Sequence, residues 1–316
     1  MSHEVCLVVS DDLAKYGFPA GHPFGTDRQG AFLSEARERR LDARVQIIVS
    51  RQATRAEIER FHTADYVNRV MVKSQQGVGY LDYGDTPAYI GVFEASSHVV
   101  GAALTALDAV MAGECRRTFQ PIGGLHHARR DRAAGFCVFN DVGVVIETLR
   151  SQYGVKRIAY VDIDVHHGDG LYYPYERDPD LIFADLHEDG NFLYPGTGHA
   201  SEKGKGAAEG TKLNIPMAPG ASDADFMQAW QRVEAHLVKF KPEFFLLQCG
   251  ADSLAGDPIA HLRYSPAAHG HAAKRMCALA NDYAGGRLMA AGGGGYNRKN
   301  IGLAWSAVLE ALIEAP

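Results

Sequence analysis

Tyr160-Val161-Asp162-Ile163-Asp164-Val165-His166-His167-Gly168-Asp169-Gly170 is the stretch on which the reading of this chain turns. An apolar run, Ile158–Val161, leads into it and reads as a buried strand. Side chains of an extended segment alternate faces, so Asp162, Asp164 and His166 project the same way. Two carboxylates and an imidazole at a strand end suit a divalent cation with mixed oxygen and nitrogen preference. The plainer alternative is an ion-pair cluster around a satisfied histidine. Against it, that many acidic groups after an apolar strand repel one another without a cation.

Outward from this stretch, apolar runs of the same kind recur at Val5–Val9, Val45–Val49, Leu181–Ala184, Phe244–Leu247 and Leu288–Ala291. Short, continuous and bounded by turn residues, they fit parallel strands buried on both faces. Helical patterns alternate with them. Val92 to Met111 reads as a long, Ala-rich helix. Ser222 with Asp225 opens a segment whose Phe226, Met227, Trp230, Val233 and Leu237 share a face. Ser265-Pro266 reads as an N-cap followed by proline at the first helical position, with Gly285-Gly286 as the stop. Such alternation implies a parallel sheet with helices on both sides, with the active site in loops at the carboxyl ends of the strands.

Three more segments place polar or glycine residues after strands. Phe245–Gln248 runs through Cys249-Gly250-Ala251 to Asp252, a natural third ligand, while Asp257 and Pro258 are expected to shape the loop. Gly123-Gly124-Leu125-His126-His127 holds adjacent histidines, which read alone as ligands, an acid/base pair or an accidental doublet. Gly292-Gly293-Gly294-Gly295-Tyr296-Asn297 lets backbone approach a site closely. A phosphate loop is disfavoured there because no Lys-Ser/Thr follows, and Tyr296 taken alone also fits a core aromatic.

The chain has 316 residues and can bury a large core; without linker or repeat, one domain is expected, 1–316. Its formal charge of -6 and the lack of a basic stripe argue against a nucleic-acid partner. Arg129, Arg130 and Arg132 cluster beside Asp131 and read as a solvated loop. Five scattered cysteines without a CxxC pair argue against a disulfide framework or thiolate zinc site. No run is long enough to span a bilayer, no membrane partner is expected, and a cytoplasmic location is the default.

Together the four segments resemble the zinc-dependent histone deacetylase superfamily, with its acetylpolyamine amidohydrolases and acetoin-utilisation proteins. The resemblance begins at Gly21-His22-Pro23 and Arg28, passes Phe61-His62-Thr63-Ala64-Asp65-Tyr66, and ends at Gly292–Asn297. It implies the arginase/deacetylase fold, an α/β single domain with a central parallel sheet of about eight strands flanked by helices. It also implies roles. Asp164, His166 and Asp252 would bind the catalytic ion, Zn²⁺ or else Fe²⁺ or Co²⁺. His126 and His127 would flank the attacking water, oriented by Asp162 and Asp169. Tyr296 would donate to the substrate carbonyl. Gly135, Phe136 and Tyr194 would wall a narrow tunnel, Gly294 would touch the substrate, and Asp85 would hold the substrate backbone at the rim.

The sequence departs from the family where Ala184-Asp185-Leu186-His187 carries Asp185 in place of the frequent serine of a structural potassium site. A K⁺ or Na⁺ ion bound by Asp162, Asp164, His166 and Asp185 is still expected. Tyr194 stands where eukaryotic relatives usually have Phe. The resemblance implies a hydrolase of linear amide bonds acting on an acyl-lysine protein or peptide. The alternatives are an acetylpolyamine or another small N-acyl amine as substrate and, more remotely, a silent acyl-lysine binder. A two-manganese ureohydrolase fits less well, since it needs more bridging carboxylates. The oligomeric state stays open, with a homodimer or homotetramer as candidates.

Overall fold

The apolar runs become strands because each is long enough to cross one sheet and too short to make a helix. The computed structural model describes residues 4–19 and 21–316. Its strands are β1 (Val5–Val8), β2 (Gln46–Ile48), β3 (Arg117–Gln120), β4 (Ile158–Asp162), β5 (Leu181–Glu188), β6 (Lys212–Met217), β7 (Phe244–Gln248) and β8 (Leu288–Ala291). They form one sheet in the order β2-β1-β3-β8-β7-β4-β5-β6, every neighbouring pair parallel. The parallel α/β sheet expected from the sequence is therefore present. Every residue of β4, β5 and β7 is buried, as a sheet covered on both faces requires.

Two strands had no counterpart among the apolar runs. β3 is Arg-Thr-Phe-Gln, yet wholly buried near the sheet centre. Its two long polar side chains, Arg117 and Gln120, bond backbone carbonyls. Arg117 donates to Leu312 O (3.0 Å) and Ala315 O (2.9 Å), and Gln120 donates to Val99 O (3.0 Å) and Ile122 O (2.7 Å). β6 is an edge strand and tolerates Pro216, which has no N–H to give a ladder.

Among the described residues, seven longer helices cover the sheet: α1 (Arg28–Glu38), α2 (Ala64–Gln76), α3 (Val92–Met111), α4 (Asp141–Tyr153), α5 (Asp223–Phe240), α6 (Pro266–Ala284) and α7 (Arg298–Glu314). The α3 bounds agree with the sequence reading, and its Ala, Gly and Val positions let it lie close on β1 and β3. At α5, Ser222 and Asp225 form the expected capping box, and at α6 Ser265 caps while Gly285 ends the helix at φ 60°. α3 packs with α2 and α4; α6 packs with α5 and α7, and α7 with α1. α3 and α6 both touch β8 without packing on each other, which sets the two groups on opposite faces.

The carboxyl ends of β3, β8, β7 and β4, four consecutive strands of the sheet, deliver the loops bearing His126–His127, Gly292–Tyr296, Asp252 and Asp162–Asp169. The fold alone thus brings all four segments to one spot.

Candidate active site

β4 ends at Asp162, so Asp164 and His166 lie beyond the strand pleat. Their convergence has another cause, a chain of side-chain-to-backbone turns. Asp162 accepts from Asp164 N (3.0 Å), and Asp164 in turn accepts from His166 N (3.0 Å). Asp252, on the short helical turn after β7, accepts from Val165 N through Oδ1 (3.1 Å). The result places His166 Nδ1 3.0 Å from Asp164 Oδ1 and 3.4 Å from Asp252 Oδ2.

Among the described residues, Asp164, His166 and Asp252 are the one cluster of ligand-type side chains whose donor atoms all lie within 4.8 Å of one another. All three are buried, and Asp252 Oδ2 has no hydrogen-bond partner. An orphaned carboxylate oxygen at no exposure is costly unless a cation meets it. The donor set of two oxygens and one nitrogen with a fourth position open suits zinc. Gly294 closes the cradle. Its N–H donates to Asp164 Oδ2 (2.8 Å), and a Cβ at that position would stand 2.2 Å from Asp252 Oδ2. The crowded carboxylates overcome the burial penalty and raise His166 to about 10; a dication held by the three residues would take the place of that proton.

The histidine doublet resolves into two dyads. His126 Nδ1 lies 2.8 Å from Asp162 Oδ2 and His127 Nδ1 2.7 Å from Asp169 Oδ1, while the two Nε2 atoms face each other at 3.1 Å. Each carboxylate fixes one imidazole through Nδ1 and leaves Nε2 toward the site. Asp169 also accepts from Arg129 Nη2 (2.6 Å), whereas Asp162 is met by Tyr160 Oη (2.5 Å) and has no arginine or lysine partner.

Tyr296 is aimed by its backbone, because Asp257 accepts from Tyr296 N (2.8 Å) and Asn297 N (3.3 Å). Burial and the charges of Asp252 and Asp164 push its phenol well above the usual range, so it stays a donor. Arg28 holds the glycine loop from below, donating to Gly295 O (3.0 Å) and Gly293 O (2.6 Å) while lying 4.0 Å over the Phe24 ring.

Phe136 and Tyr194 each pack on residues of this centre. Tyr194 packs edge-on against His127 (ring centroids 5.1 Å apart) and His166 (6.3 Å), and Phe136 against Tyr296 (5.8 Å). Gly135 must be glycine, since a Cβ would meet His127 Cδ2 at 2.4 Å and Tyr194 Cε1 at 3.1 Å. Phe136 has φ 66°, a strained value for a bulky residue that costs on the order of 1–3 kcal/mol. Two bonds hold it there: Tyr16 Oη donates to Phe136 O (2.7 Å), and Phe136 N donates to Thr86 Oγ1 (3.1 Å).

Tyr194 also lines a cavity of about 570 Å³, together with Asp82, Asp85, Arg129, Arg132 and Asp169. Asp85 sits at its edge. Burial and the neighbouring Asp82 push its carboxyl up to about 7, while Asp82, satisfied by Thr86 and three backbone N–H groups, falls to about 2.

Asp185 is buried against Gly168, whose N–H it accepts (2.8 Å), and it pairs with His187 Nδ1 at 2.7 Å. Against the cost of burial, Asp185 raises the His187 pKa. The extra carboxylate that sets this sequence apart is thus paired with an imidazole inside the fold.

The solvated-loop reading of the arginines is overturned. Arg129 pairs with Asp169, 40 residues away, and Arg130 with Glu147, 17 residues away; Arg132 is half-buried at the mouth. Local sequence shows only Asp131 beside them, not partners brought by the fold. Sequence reasoning also missed Gln248, whose Nε2 donates to Asp164 Oδ2 (2.9 Å) and whose Oε1 accepts from Gly250 N (2.7 Å). Its place at the end of an apolar strand, four residues before Asp252, was the available signal.

The sequence profile of the histone deacetylase domain matches residues 22–312. The acetoin utilization protein AcuC of Bacillus subtilis is 35% identical over 301 residues, covering 92% of this chain and 77% of that protein. A histone deacetylase-like amidohydrolase of Pseudomonas aeruginosa is 36% identical over 280 residues, covering 86% and 72%. Among solved structures, the HD domain of HDA15 superposes with a TM-score of 0.88 at 28% identity, over 98% of this chain and 89% of that one.

Proposed function

This chain belongs to the histone deacetylase family of deacetylases and amidohydrolases, and from that premise we propose that it removes an acetyl or related acyl group from the Nε of an acyl-lysine side chain in a protein or peptide. The observation that carries the reading is the pair of carboxylate-backed imidazoles facing each other at 3.1 Å beside Asp164, His166 and Asp252.

Amide carbonyls are poor electrophiles and neutral water is a poor nucleophile. A divalent ion held by Asp164, His166 and Asp252, zinc or else iron(II) or cobalt(II), would supply Lewis acidity toward the carbonyl and a more acidic water. His127 Nε2 takes the proton of the attacking water and returns it to the departing amine. It is suited to this because it borders the tunnel walls Gly135 and Tyr194. His126, held charged by Asp162, faces the same water from the inner side. Tyr296 donates to the carbonyl oxygen as it becomes an oxyanion. Gly135, Phe136, Tyr194 and Gly294 confine the aliphatic stem, and Asp85 accepts from the substrate backbone.

A second reading, an amidohydrolase of acetylpolyamines, is favoured by the two mouth carboxylates Asp82 and Asp85. Turnover of acetyl-lysine peptides by the zinc-loaded protein, compared with acetylputrescine and acetylspermidine, separates the two; no turnover of any would leave a silent acyl-lysine binder. Asp252→Ala should lose bound metal and activity together, read by metal analysis and rate. Retained turnover in metal-free buffer would overturn the mechanism. A K⁺ or Na⁺ ion near Asp162, Asp164, His166 and Asp185 belongs to the same proposal, as does a cytoplasmic location, which five buried free cysteines suit. No described helix is long and apolar enough to cross a membrane.

A further inference from the structure

The mouth cavity carries opposite charges on its walls. Asp82 and Asp85 line it from the loop before α3, and Arg129 and Arg132 line it from the loop after the histidines. Arg129 is already committed to Asp169. Arg132 is different: it is half-buried, and among the described residues its guanidinium has neither a hydrogen bond nor an ion pair. A guanidinium without a protein anion at the wall of a cavity is available to an anionic ligand, and its planar fork fits a carboxylate. Tyr194 joins this cavity to the reaction centre, since its ring lines the cavity and also packs on His127 and His166.

A purely cationic substrate, such as an acylated polyamine, can meet Asp85 but faces Arg132 as a like charge. An acyl-lysine inside a peptide chain offers Arg132 only neutral carbonyl oxygens, weaker partners than a carboxylate. A dipolar head satisfies both walls. Resting on the acyl-lysine reading above, we propose that Arg132 makes the mouth a carboxylate subsite, and that the preferred substrate is an Nε-acyl-lysine whose α-carboxylate is free, either as the amino acid or at a peptide C-terminus. The α-amine or its amide N–H then lies toward Asp85 and the α-carboxylate toward Arg132, with the acylated stem in the tunnel. Peptide-bond hydrolysis of acylated proteins is the class of reaction that supplies such a substrate.

The test is the ratio of kcat/KM for Nε-acetyl-lysine to that for its α-carboxamide, measured on the full-length zinc-loaded protein. Because it is a ratio within one preparation, a partly inactive variant does not distort it. Wild type should favour the acid about 10-fold or more, the scale of a charge-assisted hydrogen bond. Arg132→Gln should bring the ratio to about 1, and Arg132→Lys should keep part of it. A wild-type ratio near 1, or a preference that survives Arg132→Gln, overturns the subsite. So does a preference confined to peptides with Glu after the acetyl-lysine, which would assign Arg132 to a side-chain carboxylate. If acetyl-lysine peptides are turned over but the ratio is 1, only this inference fails. If acetylpolyamines alone are turned over, the acyl-lysine reading fails and this inference with it.

Discussion

The His126–Asp162 and His127–Asp169 dyads have nearly the same length, 2.8 and 2.7 Å, and opposite electrostatics. Behind Asp162 stand Tyr160 and the carboxylates Asp164 and Asp185; behind Asp169 stands Arg129. Burial and these acidic neighbours raise Asp162 to about 6. Asp169, despite its burial, is brought down to about 2 by His127 and Arg129. The histidines follow. Against the burial penalty, Asp162 and Asp164 raise His126 to about 10, while burial and the adjacent His126 lower His127 to about 4. Two copies of one motif thus shift in opposite directions: the carboxylates gathered around His126 raise it, while burial and the neighbouring His126 lower His127.

The most direct way to break this comparison is to remove each imidazole in turn. His127→Ala should lower kcat by about 10²–10⁴, the range of general acid–base catalysis, and His126→Ala should cost roughly tenfold less. Equal losses would mean that the two histidines share the proton work, and the contrast would have no functional content. Tyr296→Phe should cost about 10²–10³ in kcat. It should leave the limbs of the pH–rate profile where they are, since the phenol supplies a hydrogen bond and neither dyad loses a charge. A displaced limb would show that Tyr296 is part of the proton path.

A smaller change tests the cause. Arg129→Gln takes away the cation that neutralises Asp169. His127 then binds its proton more tightly, so the acid limb of kcat/KM should move to higher pH by about one unit, the equivalent of roughly 1.4 kcal/mol. Above that limb the rate should change little. An unmoved limb would show that burial and the neighbouring His126 suffice to lower His127.

Much of this centre was legible in the sequence, for reasons that differ between residues. Asp164, His166 and Asp252 stood out because carboxylates following apolar strands need a cation, an argument that does not depend on the fold. The pleat argument nevertheless rested on the wrong geometry, since Asp164 and His166 converge through backbone turns beyond β4. The dyads came only with the family resemblance, because Asp162 and Asp169 lie 36 and 42 residues from their histidines. β3 was illegible because Arg117 and Gln120 look like surface residues until the carbonyls they bind are known. Arg129 and Arg132 were dismissed for the same reason: periodicity locates apolar faces, but partners of charged side chains are set by tertiary structure.

The least rate-sensitive element is the one that deepens the inner dyad's negative field, Asp185. Its carboxylate faces Asp162 and is answered by His187, whose other nitrogen, Nε2, meets Gly198 O at 2.9 Å. Asp185→Asn should leave kcat within about threefold, since a neighbour of a neighbour of the reacting atoms is altered. It should destabilise the fold by about 1–3 kcal/mol, because the variant leaves a buried His187 without its counter-ion. The pH dependence identifies the cause. Folding raises the His187 pKa, so the pair's stabilisation is fully present below the imidazole's ordinary value near 6.5 and fades as pH rises through the raised one. The loss in the variant should therefore be largest at pH 6 and shrink toward alkaline pH in urea unfolding. A loss that is constant with pH would mean that Asp185 acts through Gly168 N alone, and that the charge behind Asp162 is not balanced by His187.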